Sequence, residues 1–336
     1  MWIGFCVSFL LCLGCIVLAK FFGIGVDFIV AKKPQKFHQQ NISRLGGVGI
    51  FVGFIVLFLL NFPFNLSNIL IFLGLSVVFL AGVLEDVLEI LSPRVRLFIQ
   101  LLGIIILLSS GVGLITNLLP LAMLPWYWGV AFSLFGILGV CNAINIIDGL
   151  NGLASGIALI VFAAIIFVAF GREIDFVYRI AQMAIVVILG FYVLNFPFGK
   201  IFLGDGGAYF LGTLIAFLLG VLSDHGVSAW FGLSVMIYPV WEVIFSILRR
   251  KIKGQKAMHP DGLHLHSLLF KINRNNSFSA LLLVCLYACY VFLVLVCVDN
   301  TIGFMWASFC FCILYMVFYI YLYKKYKKIE AGKVGI

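Results

Sequence analysis

SNILIFLGLSVVFLAGVLEDVLEILSPRVRLFIQ, residues 67–100, is the stretch that decides the fold. Its first 18 residues, 67–84, carry no charge, and then Glu85, Asp86, Glu89, Arg94 and Arg96 arrive around Pro93. As a helix, an apolar run of that length suits a hydrocarbon layer of about 30 Å, and the abrupt charge marks a membrane surface. Ten runs of the same kind surround it, at 2–23, 46–62, 96–114, 127–147, 151–170, 180–198, 207–223, 229–248, 278–298 and 303–323. They predict an all-α, polytopic membrane helix bundle of about 11 transmembrane helices, not a barrel. Composition agrees: of 336 residues 64% are hydrophobic and 10% charged, and the mean hydropathy is +1.21. Soluble chains are ordinarily about 45–50% apolar and roughly 25% charged, so the 22 basic and 13 acidic side chains cannot coat a water-soluble surface. Disorder, a disulfide-stapled secreted domain and a nucleic-acid binder are excluded with it.

An odd number of spans puts the chain ends on opposite faces. The loops after odd-numbered spans, with Lys20 and the tail, hold 20 of the 22 basic residues, and the other face has Arg172 and Arg179. The positive-inside rule then places the N-terminus outside and the C-terminus in the cytoplasm. The reading is one domain, 1–323, with cytoplasmic loops at 25–45, 85–96, 148–151, 199–206 and 249–277 and a basic tail, 324–336. Lys324, Lys325, Lys327 and Lys328, beside Tyr319, Tyr321, Tyr323 and Tyr326, read as an anchor on anionic lipid, and Trp126, Tyr127 and Trp128 as the outer aromatic belt. All nine cysteines lie in apolar runs, so Cys12 and Cys15 read as packing residues despite their CxxC spacing. No basic region precedes the first run, so a cleavable signal peptide is not expected.

The acids are sorted by face. Glu173, Asp175, Asp224 and Asp299 lie singly outside, whereas Asp27, Glu85, Asp86, Glu89, Asp148, Asp205, Asp261 and Glu330 lie at cytoplasmic helix ends and loops. Glu242 falls inside the ninth run, where a carboxylate costs about 2.5–3.5 kcal/mol and must face the bundle or a basic partner. Four patterns carry chemistry. At 82–100, Glu85 and Glu89 share a helical face with Asp86 beside them; their repulsion is relieved by a divalent cation, by the nearby arginines, or by solvation of a helix end. At 142–156, Asn142, Asn145 and Asp148 recur every third residue and suit a hard cation or a sugar hydroxyl, while Gly152 and Gly156 read as helix packing. At 198–212, Asp205 sits among Gly204, Gly206 and Gly207 with Lys200 nearby: a cradle for metal-bound phosphate at a helix N-terminus, or a tight turn. At 259–267, Asp261, His264 and His266 share a loop whose extended form would put both imidazoles on one side, for phosphate contact or for solvent.

In this order, the four patterns resemble the polyprenyl-phosphate N-acetylhexosamine-1-phosphate transferase superfamily (glycosyltransferase 4 type), and within it the bacterial undecaprenyl-phosphate N-acetylglucosamine-1-phosphate transferase branch. Two further segments add to the resemblance: KPQKFHQQNISRLGGVG (33–49), with His38, Arg44, Gly46 and Gly47, and PVWEVIFSILRR (239–250). Three positions depart from the family pattern. Glu85–Asp86 stands for paired aspartates, Ser267 for the second of two adjacent histidines, and Gly262 for an arginine after Asp261.

The resemblance implies a bacterial inner-membrane enzyme whose site faces the cytoplasm. It implies transfer of a sugar-1-phosphate, GlcNAc-1-phosphate first, from a UDP-sugar to undecaprenyl phosphate. UMP would leave, and the lipid-linked pyrophosphoryl sugar would initiate a cell-surface polysaccharide. Another UDP-N-acetylhexosamine or UDP-MurNAc-pentapeptide is the same-class alternative. A transporter or flippase is the different-class one, with Glu242 alone on its side. The implied cofactor is Mg²⁺, with Mn²⁺ as a substitute, on Asn145 and Asp205. Glu85 or Asp86 would orient or deprotonate the lipid phosphate in a direct displacement, and Asp148 would support the metal or nucleotide side. His38, Arg44, Arg94, Asn142, Lys200, Asp261, His264 and His266 would bind substrate. Membrane lipids are the implied surroundings, nucleic acid is no partner, and a homodimer is compatible.

Overall fold

The computed structural model describes residues 1–27, 42–255, 262–298 and 300–334. His38 and Asp261 lie outside the described residues. The helices are Trp2–Phe22 (α1), Gly46–Asn61 (α2), Leu66–Leu88 (α3), Pro93–Leu108 (α4), Trp126–Ile147 (α5), Leu153–Gly171 (α6), Asp175–Asn195 (α7), Gly204–Asp224 (α8), Ala229–Val235 (α9), Ile237–Ile252 (α10), Leu265–Asn273 (α11), Asn276–Cys297 (α12) and Thr301–Val334 (α13). Val26–Asp27 (β1) and Ile42–Ser43 (β2) pair antiparallel between α1 and α2.

Eight of these helices (α1, α3, α5, α6, α7, α8, α12 and α13) are long and apolar enough to cross a membrane, and α9 with α10 makes a ninth if counted as one broken span. The ninth apolar run, expected to be continuous from 229 to 248, bends by 76° at Met236. Pro239 explains the break: it has no N–H for the Val235 carbonyl, and its ring crowds that carbonyl, so a helix restarts just before it. α2 and α4 have 16 residues each. α4 ends at Leu108, short of the expected 114, where Ser109 and Ser110 lead into Gly111 at φ 87°. At its start, Ser92 caps Val95 N–H at 3.4 Å and Pro93 takes the first turn, where its missing N–H costs nothing. Gly152 is not inside a helix. It sits at φ 79° as the residue before α6, so Gly152 and Gly156 do not form one helical stripe.

α8 is the axis of the bundle. It packs against α2, α3, α5, α6, α7 and α9, and every residue from Gly206 to Leu222 is buried. Neighbouring backbones approach it where side chains are missing: Gly82 of α3 lies on Gly206, and Gly47 of α2 lies on Gly207. Further along, Phe210 takes the edges of Phe51 and Phe54, each at 5.2 Å between ring centres. Such aromatic pairs add about 0.5–1.5 kcal/mol beyond the area they bury.

The start of α8 is tied to the entry of α2. Phe202 N–H donates to Ser43 O at 2.8 Å, and Gly46 and Gly47 N–H donate to Phe202 O and Leu203 O at 3.0 and 2.9 Å. These bonds join the beginnings of α2 and α8, and side-chain contacts to the first turn of α8 bring the beginning of α4 and the ends of α3 and α5 to the same end of the bundle. α13 is long for a single crossing: 34 residues at about 1.5 Å each reach roughly 51 Å. Its tyrosines do more than line an interface. Tyr315, Tyr319 and Tyr323 stack at four-residue spacing, and Tyr319, Tyr323 and Tyr326 carry Arg249, Lys253 and Lys271 over their rings at 5.3–5.5 Å.

Candidate functional site

Asp205, in the first turn of α8, is where the polar groups meet. Its Oδ2 accepts from Arg96 Nη1 at 2.6 Å and from the Tyr209 hydroxyl at 3.3 Å, and its Oδ1 accepts from Asn145 Nδ2 at 2.8 Å. Arg96 belongs to α4 and Asn145 to the last turn of α5, so three helices converge on one carboxylate. Arg96 Nη1 also lies 3.9 Å from Glu85 Oε1. Arg96, Glu85 and Asp205 each remain about a quarter exposed, at 22, 22 and 25% of their side-chain surface. The arrangement is a half-open basin of oxygen acceptors around one guanidinium.

The backbone N–H groups at the start of α8, expected as a cradle for phosphate, have a protein partner. Asp205 N–H donates to Asp86 Oδ1 at 3.0 Å and Gly206 N–H donates to Asp86 Oδ2 at 2.9 Å. Asp86, on the last turns of α3, thus caps α8 from another helix and complements its positive end. The fit depends on Gly204, whose φ of 75° is a glycine conformation and where a Cβ would strike Arg44 O and the Asp86 carboxylate. The three carboxylates of the 85–89 cluster part company. Glu85 Oε2 accepts Leu91 N–H at 3.0 Å, Asp86 caps α8, and Glu89, in the left-handed region at φ 52°, pairs with Arg44 Nη1 at 3.0 Å. Among the described residues no group of three His, Cys, Asp or Glu side chains is placed to hold a metal ion.

Asn142 points elsewhere than Asn145: its Nδ2 donates to Gln100 Oε1 at 2.9 Å and to Leu138 O at 2.8 Å. Asp148 ends α5 and is half-buried; burial first, and the charge of Asp205 second, push its carboxyl up to about 7. Arg94 is exposed, two residues before Arg96, and the structure does not bring it to Asp205. Lys200 is also exposed, with its ammonium 5.6 Å over the Phe198 ring.

The histidines form a second, buried cluster. His264, extended at φ −67° and ψ 153°, precedes α11, and His266 follows in the first turn; their rings lie parallel, 5.5 Å apart. His264 Nδ1 is 2.9 Å from Glu242 Oε1, which gives the intramembrane acid its partner. Arg249 donates to Leu263 O at 2.7 Å and to the Tyr319 hydroxyl at 2.9 Å. The His266 edge lies against Gly149, where any Cβ would collide with Nε2, and so the histidine cluster adjoins the Asp148 turn. Burial, then His264, hold the His266 imidazole down at about 3. Arg96, Tyr209, Gln100, Tyr315 and the cap by Asp86 are members that the sequence reading did not single out.

The fold is a helical bundle with acids and a guanidinium gathered at one end, and comparison with known proteins says what such a chain is similar to. Residues 68–223 match the model of Glycosyl transferase family 4, a stretch that opens in α3 and closes in α8. It holds Glu85, Asp86, Arg96, Asn145, Asp148 and Asp205, and it stops before Glu242 and the histidines. Over longer stretches the chain is similar to the "Probable undecaprenyl-phosphate N-acetylglucosaminyl 1-phosphate transferase" of Bacillus subtilis, at 29% identity over 84% of this chain and 80% of the relative. The "Undecaprenyl-phosphate alpha-N-acetylglucosaminyl 1-phosphate transferase" of Thermotoga maritima is 28% identical over 73% and 74% of the two chains. The "Decaprenyl-phosphate N-acetylglucosaminephosphotransferase" of Mycolicibacterium smegmatis is 26% identical over 80% and 73%. The resemblance carried by the motifs is borne out.

Proposed function

We propose that this protein transfers GlcNAc-1-phosphate from UDP-GlcNAc to undecaprenyl phosphate, releasing UMP and leaving a lipid-linked pyrophosphoryl sugar that initiates a cell-surface polymer. The observation that carries the reading is the convergence of Arg96, Asn145 and Tyr209 on Asp205, with Glu85 beside Arg96, at one end of a membrane bundle. The names of the similar proteins supply undecaprenyl phosphate and the GlcNAc-1-phosphate group, and the UDP donor comes from the resemblance of the motifs. Phosphoryl transfer asks for positioning and neutralisation of charge, and a basin of acceptors with one guanidinium offers both.

Mg²⁺ suits the donor set. Asn145 and Asp205 converge and offer hard oxygens once the Asn145 amide turns its carbonyl inward, and so few protein donors fit an ion that keeps waters and leans on substrate phosphates. When bound there it would neutralise the diphosphate; Mn²⁺ would substitute. Asp86 has both oxygens committed to α8, so Glu85 is the acid we assign to orient or deprotonate the lipid phosphate in a direct displacement. Arg96 would hold a phosphate oxygen, and Asp148 with His264 and His266 would line the nucleotide side.

Eleven crossings follow if α2, α4 and the broken α9–α10 pair join the eight longer helices. The basic loops then face the cytoplasm of a bacterial inner membrane, and a C-terminal fluorescent-protein fusion should fluoresce; a dark fusion with an active outer-face reporter overturns that orientation. The catalytic test is a membrane assay with Mg²⁺, undecaprenyl phosphate and a panel of radiolabelled UDP-sugars. Organic-extractable label from UDP-GlcNAc with UMP release is the expected result. Label from another UDP-sugar alone moves the substrate, and no label from any overturns the reading.

A further inference from the structure

Glu242 takes no part in the transfer as described, yet it is the most enclosed acid among the described residues, with none of its surface exposed. Four donors meet its carboxylate. Oε2 accepts the Tyr315 hydroxyl of α13 at 2.7 Å and Leu265 N–H of α11 at 3.3 Å. Oε1 lies 2.9 Å from His264 Nδ1 and accepts Ser246 Oγ at 3.4 Å. A carboxylate can only accept, so Nδ1 of His264 carries the proton. On the opposite edge of that ring Arg250 Nη2 stands 3.5 Å from Nε2, and a guanidinium can only donate, so Nε2 is an acceptor. Both neighbours select one tautomer.

The same carboxylate fixes the backbone. Leu265 opens α11, His264 supplies no side-chain cap, and Glu242 takes the first N–H in its place. From there the His264 ring stacks on His266, whose edge lies on Gly149 beside Asp148. One line of contacts therefore runs from α13 through Tyr315, Glu242, His264 and His266 to the turn next to the Asp205 basin.

We infer that Glu242, steadied by Tyr315, is a positioning residue that fixes the orientation and tautomer of His264. The inference rests on the proposed transferase reading. Glu242→Gln keeps the volume but offers one acceptor and one amino group, so either His264 or the Tyr315–Leu265 pair loses its acceptor. Partners that orient metal-ligating histidines matter by about 10–100-fold, and a loss of that order in kcat is the expectation for this oriented histidine too. Tyr315→Phe removes one hydroxyl, keeps the ring packing and should lose several-fold; it carries the test if the first variant fails to reach the membrane.

Two measurements separate positioning from a merely structural role. In ¹⁵N-histidine spectra of the detergent-solubilised full chain, assigned with His264→Gln, wild type should show His264 with Nδ1 protonated, and both variants should shift its Nδ1–H signal, Glu242→Gln the further. In a double-mutant cycle, Glu242→Gln combined with His264→Gln should be no slower than His264→Gln alone. An unchanged spectrum in both variants, or losses that multiply in the cycle, overturns the inference. Failure of the transferase reading looks different: wild-type membranes would then label no lipid from radiolabelled UDP-GlcNAc or any other UDP-sugar.

Discussion

Two carboxylates in this protein each accept from a tyrosine hydroxyl and gather several helices, and they are built for opposite purposes. Glu242 has no exposed surface and four donors, so nothing is left for a ligand. Asp205 keeps a quarter of its surface open and shares its strongest contact with a single guanidinium. A buried charge needs every lone pair met, since leaving one charged partner unpaired in such a place costs about 3–5 kcal/mol. A charge left a quarter exposed can exchange partners at little cost. The first kind holds a structure in shape, and the second kind is open to a ligand.

The comparison breaks most severely at its centre. Asp205→Asn removes the charge on which α4, α5 and α8 converge, and turnover should fall by about 10²–10³-fold or more while the protein still inserts. Full activity of the inserted variant in the lipid-labelling assay sinks the assignment. Arg96→Ala comes next, with an expected loss of about 10–100-fold and partial recovery in Arg96→Lys, read as kcat/KM for UDP-GlcNAc. The buried cluster is probed by acid. His266 titrates at about 3 in the folded chain but near 6.5 once unfolded, so below 6.5 the unfolded chain binds the extra proton. Stability is thus whole above pH 6.5 and falls by about 1.4 kcal/mol for each unit down towards pH 3. His266→Gln should flatten the loss of thermal stability in detergent between pH 7 and pH 5; an equal loss in both proteins contradicts it. Arg94→Ala should sit at the bottom, within about threefold of wild type, because an exposed side chain away from Asp205 has little to lose. A loss as large as that of Arg96→Ala would reverse the roles of the two arginines.

Much of this was legible in the residues. Every expected apolar run contains helix, because an uncharged stretch of that length has few other ways to satisfy its backbone in lipid. Asn145 and Asp205 stood out as polar groups in an apolar chain, and the structure joins them directly. What stayed hidden was partnership across long sequence separations. Nothing near Asp86 announces that its acceptors serve N–H groups 119 and 120 residues away. Arg94 and Arg96 look alike until Pro93 sets the phase of α4, which turns Arg96 and Gln100, four residues on, towards α5 and α8. That spacing was the available signal. Tyr315, Tyr319 and Tyr323 likewise repeat every fourth residue, a stripe for a helical partner, but tyrosines near a membrane surface also suit lipid. The bend at Met236 was written in Pro239.

The cap that Asp86 places on α8 has a consequence for reading genetics. A carboxylate in an acidic motif whose loss abolishes turnover is readily taken for a base, yet this one spends both oxygens on the architecture beneath Asp205. Its substitution would shift the floor on which Asp205 stands, and an assay of product alone records that as lost chemistry. Under the proposed function, a null phenotype at position 86 would count a missing keystone and one at position 205 a missing tool, although the assay returns the same number for both.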